Sequence, residues 1–144
     1  MGIRAILITV IMIFAFVASA EVEESLPAAA SSCELCSFTP QDLGASEAGS
    51  RSKLWVLDPC NSLRSDLSLP LGTRAAIEIS PGYSSYVTLY RRLPSGDLQT
   101  EYLGYLYKGH KYRLWFCSPL AGTHELWYRT GWQESNRIRV HIGI

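Results

Sequence analysis

The chain reads as an all-β protein: an antiparallel β-sandwich of about seven strands behind an export signal and an irregular leader. Two observations carry this reading. From Leu54 onward, short runs rich in Val, Ile, Thr, Tyr and Trp alternate with Gly, Pro, Ser and Asp turn signals. They recur at roughly eight to twelve residues, the spacing of a sandwich or barrel. The same region holds no helical segment, which argues against a mixed fold.

Residues 1–20 place Arg4 ahead of an apolar run from Ala5 to Ala18 and end in the small residues Ala18, Ser19 and Ala20. That order is a secretory signal peptide, with cleavage expected between Ala20 and Glu21. The run falls short of the roughly 18 residues needed for a membrane anchor, and no later stretch is long enough to span a bilayer. Residues 21–53 are rich in Ala, Ser and Glu and keep no sustained period, so they read as a leader ahead of the domain at 54–144.

Within that domain the first strand is Leu54–Leu57, stopped by Asp58-Pro59, because proline cannot donate to a ladder. The second is Arg74–Ile79, between Pro70-Leu71-Gly72 and Ser80-Pro81-Gly82. Ser85–Leu93 and Gln99–Tyr107 flank Pro94-Ser95-Gly96-Asp97 and should form a hairpin. Tyr112–Cys117, His124–Thr130 and Asn136–Ile142 complete the set. Alternation then assigns faces, since successive side chains point to opposite sides of a sheet. Leu114, Phe116, Leu126, Tyr128, Ile138, Val140 and Ile142 face the core. Arg113, Trp115, Trp127, Arg129, Arg137, Arg139 and His141 face out, and the Trp and Arg members of this set form a candidate binding face.

Thirteen basic and thirteen acidic residues balance overall but not locally. Residues 21–50 carry six acidic side chains and no basic one, whereas residues 91–144 carry eight basic against four acidic. The two regions can attract each other. Four cysteines, Cys33, Cys36, Cys60 and Cys117, all lie in the exported part, where an even count reads as disulfides. The expected arrangement ties Cys33 and Cys36 to Cys60 and Cys117, stapling the leader to the domain. Three connectivities stay open.

Leu54-Trp55-Val56, Leu69-Pro70-Leu71-Gly72, the hairpin around Ser95-Gly96, the run Ala121–Tyr128 and the triplet Glu134-Ser135-Asn136 before an alternating apolar strand carry a resemblance. Over residues 53–143 the chain resembles secreted Ig-like β-sandwich domains of methanogenic archaea, uncharacterised hypothetical proteins of the cell surface. The resemblance implies an immunoglobulin-like sandwich with structural rather than catalytic motifs. The chain departs from that pattern in its Cys-Glu-Leu-Cys leader and in Cys60 and Cys117.

Chemistry finds little purchase. Cys33-Glu34-Leu35-Cys36 has the spacing of a redox dithiol or half a metal site, but no helix follows and no matching second pair exists, so structural disulfides are expected. His110 sits beside Lys108 and Lys111, where positive charge disfavours a metal; His124 and His141 lack a carboxylate to complete a site, and all three read as surface histidines. Ser-Pro-Gly-Tyr-Ser-Ser-Tyr is not a nucleophile elbow, and Asp58, Asp66, Glu78 and Glu101 show no context for glycosidase work. The eight tyrosines read as core and cross-strand packing. No catalysis and no cofactor are expected, and export argues against a nucleic-acid partner. The leading expectation is a secreted structural or adhesion module retained at the cell envelope, with other envelope proteins or glycans as partners. The alternative is a glycan- or acidic-polymer-binding module whose Trp and Arg face stacks on sugar rings and donates from guanidinium forks. Against both stands the simpler reading that the arginines merely cover the two tryptophans.

Overall fold

The computed structural model describes residues 38–47 and 49–143, and within them the protein is an all-β sandwich. Its strands are β1 (Gln41–Ala45), β2 (Lys53–Leu57), β3 (Leu63–Arg64), β4 (Asp66–Pro70), β5 (Ala75–Ser80), β6 (Ser85–Arg92), β7 (Leu98–Leu106), β8 (His110–Phe116), β9 (Gly122–Thr130), β10 (Gln133–Glu134) and β11 (Ile138–Gly143). One sheet runs β1-β8-β5-β2-β3 and the other β4-β11-β9-β6-β7, with β10 paired to β9. Every pairing is antiparallel except that of β11 with β4, so the six-stranded sheet is mixed rather than wholly antiparallel.

All seven expected strands are present, and four more accompany them. β1 lies inside the segment read as leader and borders β8. Its residues are nearly all exposed, so no alternation of apolar side chains marks it. β4 is a short edge strand that ends in Pro70, and the proline sets its boundary. The Pro94–Asp97 hairpin closes as its residues require: Leu93 N–H donates to Asp97 and Gly96 N–H to Leu93, at 2.8 and 2.9 Å, with Gly96 at φ +93°.

The inward positions are those that alternation assigns. Leu54, Val56, Ile77 and Ile79 of one sheet meet Val87, Leu126, Tyr128, Ile138 and Val140 of the other, all fully buried. Each such side chain contributes about 1.5–3 kcal/mol by leaving water.

Polar ties join the layers at one end. The Tyr128 hydroxyl, on β9, donates to the carbonyls of Ser80 (2.7 Å) and Lys53 (3.1 Å) in the opposite sheet. Burial pushes its phenol pKa far above the ordinary tyrosine value. Asn136 serves as a one-residue strand partner for Leu54, accepting its N–H at 2.8 Å and donating to its carbonyl at 2.7 Å. Asn136 is therefore an inter-sheet clamp.

Candidate functional site

The Trp and Arg set expected on one face is divided between two. Arg113 and Trp115 lie on β8 in the five-stranded sheet. Trp127 and Arg129 lie on β9, Arg139 on β11 and Arg137 just before it, all in the six-stranded sheet. The chain crosses between sheets from Phe116 to Gly122, so outward residues of these consecutive strands point to opposite sides of the molecule.

Trp127 is 5% exposed although it faces away from the core. Tyr90 stacks on it at 5.5 Å and 8°, and the guanidinium groups of Arg137 and Arg92 sit 4.3 and 5.6 Å from its ring centre. Glu125 holds both arginines, at 3.2 and 3.6 Å. Arg74 covers Trp115 in the same manner, at 4.6 Å. The covering of tryptophan by arginine is thus observed, by Arg74, Arg92 and Arg137 rather than by Arg113 or Arg129. Arg113 pairs with Glu78 at 2.9 Å and Arg129 with Glu134 at 3.3 Å. Arg139 is exposed and has no ion pair among the described residues.

The open aromatic surface lies elsewhere. Tyr86 and Tyr102 are each 64% exposed, Tyr107 56% and Tyr105 45%. Tyr86 stacks with Tyr102 at 6.0 Å and meets Tyr105 edge-on at 5.2 Å; Tyr105 meets Tyr107 at 5.2 Å. Tyr86 lies on β6, Tyr102 and Tyr105 on β7 and Tyr107 just beyond it, and β7 is a sheet edge. A β-bulge brings them together. Val87 opposes Gly104 and Thr88 opposes Tyr102, leaving Leu103 as an extra residue on β7. Gly104, at φ +87°, supplies the conformation. Without the bulge, Tyr102 and Tyr105 would point to opposite faces. The isolated glycine inside a strand pattern was the signal for it. At the same end of the sheet, Trp132 is 80% exposed and packs against Tyr83 at 5.4 Å.

The histidines fall into two kinds. His110 bonds Asp42 at 3.0 Å, and Asp42 is held below the usual carboxylate range chiefly by the Gly44 N–H, with His110 adding to the effect. His141 meets Asp66 at 3.0 Å and Thr123 at 2.9 Å, so β4 supplies a carboxylate that strand reading alone did not place. His124 is not a surface residue: it is fully buried, packs edge-on to Phe116 at 5.5 Å, and bonds the Leu120 carbonyl through Nε2 at 2.9 Å, leaving Nδ1 unpartnered. It shares the parity of Leu126 and Tyr128, which is the signal in the sequence for its inward position. Among the described residues no group of three or more His, Cys, Asp or Glu side chains is placed to hold a metal. Asp66 and Glu101 lie on opposite edges of one sheet, Glu78 lies in the other sheet and Asp58 in the turn after β2.

The bridge expected at Cys60 is not formed: its thiol is free and exposed, in the turn after β2, whereas Cys117 is buried and disulfide-bonded. Cys33 and Cys36, the partners expected for them, lie outside the described residues, as does the signal segment.

The fold and its surfaces define a two-layer β-sandwich domain with an open aromatic edge. No protein-family model matches the chain, and no curated protein does. Among solved structures it is similar to the CARDB domain of a Pyrococcus furiosus protein, determined in complex with di-metal ions. That likeness covers 76% of this chain and 93% of the other, at 11% identity and a TM-score of 0.36.

Proposed function

We propose that the chain is a non-catalytic, exported surface-contact module, retained at the cell envelope, that engages an envelope protein or glycan through its tyrosine edge. One observation carries the reading: four exposed tyrosines in mutual ring contact on β6 and on and just beyond the edge strand β7. Clustered exposed aromatic surface marks interaction sites, and tyrosine pairs a large apolar ring with a polar tip. The signal-like N-terminus and the cysteine count support export, and we assign the partner of Cys117 to Cys33 or Cys36. A glycan is the alternative partner, because exposed ring faces also suit stacking on sugars. That reading moves from the covered Trp127 to Tyr86 and Tyr102.

The test is the double variant Tyr86→Ser/Tyr102→Ser. Both side chains face solvent, so thermal stability should fall by no more than about 1–2 kcal/mol. Retention in the envelope fraction of cells making the protein should drop at least about tenfold, as loss of an aromatic anchor does. Unchanged retention refutes the proposal. Binding of the parent, but not the variant, to purified neutral glycans would assign the partner as a sugar.

A further inference from the structure

The outer face of the five-stranded sheet carries a second feature that none of the preceding chemistry uses. Lys53 on β2 lies opposite Ser80 on β5, and Trp55 lies opposite Glu78. Glu78 in turn opposes Arg113 on β8, and Ile79 opposes Tyr112. One step further along that ladder, Lys111 flanks Ser80 from the other side. With neighbouring strands about 4.8 Å apart, the two lysine backbones stand roughly 10 Å apart across β5, on the same face. The connection between β1 and β2 forms the wall, fixed where the Ser46 N–H donates to Gly109 at 2.7 Å, and it contributes Arg51. The resulting cleft of about 540 Å³ is lined by Trp55, Glu78, Ser80, Lys53, Lys111 and Arg51, among others. That volume lies in the range of small-molecule sites.

Its charge is one-sided. Glu78 is held by Arg113 at 2.9 Å, with both side chains largely covered. Arg51, Lys53 and Lys111 are exposed and have no ion pair among the described residues, and Glu47 is the remaining carboxylate of the lining. Two buried polar atoms here also lack a hydrogen-bond partner: Oγ of Ser46 in the wall and Nε of Arg113 beside Glu78.

We propose that this cleft binds an acidic saccharide, a pyranose bearing a carboxylate. The apolar ring face packs on Trp55 and the carboxylate lies between Lys53 and Lys111, with Arg51 at the rim. A neutral sugar leaves three cations unused. A small inorganic anion leaves the tryptophan unused.

Calorimetric titration of the protein with a galacturonate tetrasaccharide tests the proposal, with cellotetraose and sodium sulfate as comparison probes. The acidic oligosaccharide should bind, and binding should weaken several-fold between about 0.05 and about 0.3 M salt. Lys53→Ser/Lys111→Ser should lose at least about tenfold in affinity and Arg51→Ser about threefold, with thermal midpoints unchanged because all three side chains face solvent. Tyr86→Ser/Tyr102→Ser should bind as the parent does, which separates this cleft from the tyrosine edge. The proposal is overturned by absence of binding, by equal affinity for cellotetraose, by sulfate binding as tightly as the oligosaccharide, or by lysine variants within about twofold of the parent.

Discussion

Replacing Tyr128 by Phe removes one oxygen from a fully buried side chain and leaves its ring in place. What is lost is the hydroxyl that ties β9 to the Ser80 and Lys53 carbonyls of the other sheet. A hydrogen bond of this kind contributes about 1 kcal/mol net. A single proton is shared between two acceptors, so the second contact counts for less than the first and the loss comes to about 1–2 kcal/mol. For a folded unit of this size a loss of that order lowers the thermal midpoint by roughly 5–12 °C, measured by circular dichroism near neutral pH. The pH dependence adds an independent arm. The folded phenol ionises well above its unfolded value of about 10, so its stabilisation is complete below pH 10 and declines above it by up to about 1.4 kcal/mol per pH unit. The variant lacks this alkaline decline, so its deficit should shrink between about pH 9 and about pH 11. A midpoint within about 1 °C of the parent, or a deficit that stays constant with pH, refutes the assignment of Tyr128 as an inter-sheet tie.

Other substitutions probe the same reading. Burial lowers the His124 pKa, with Arg91 adding in the same direction against the Leu120 hydrogen bond. The unfolded chain therefore takes up the proton first, and stability falls as pH drops below about 6.5. Urea midpoints at about pH 7.5 and about pH 5 should differ more for the parent than for His124→Leu, and equal differences would exclude His124 as the source. Trp127→Ala should cost about 3–5 kcal/mol in thermal or urea unfolding, whereas Trp132→Ala, 80% exposed, should cost less than about 1. Similar losses at both positions would contradict the burial described for Trp127.

The strands that bury a face on the core were legible because alternation is the imprint of a half-buried strand. Ile138-Arg139-Val140-His141-Ile142 could be assigned residue by residue, and each assignment matches its burial. Gln41–Ala45 could not, because an exposed edge strand places no alternating demand on its side chains. The Trp and Arg face shows the limit of the same rule. Parity tells which side of its own sheet Trp115 or Trp127 occupies, and both do turn away from the core. It says nothing about which sheet a strand joins, and the crossover at 117–121 sends β8 and β9 to different ones. The tyrosine edge stayed hidden for a different reason: one residue of bulge at Leu103 inverts the parity of everything beyond it on β7.

The placement of β11 has a consequence for how the chain reaches this structure. It is an interior strand, with β9 on one side and β4 on the other, although it comes last among the described strands. Until residues 138–143 have left the ribosome, β4 has no neighbour in its sheet and that layer stays open by one strand. The six-stranded layer therefore closes only once its last described strand has been made. Its closure waits on contacts between residues some 70 positions apart, such as Arg139 with Asp66. Such long-range pairing belongs to the slow, millisecond-to-second regime of folding.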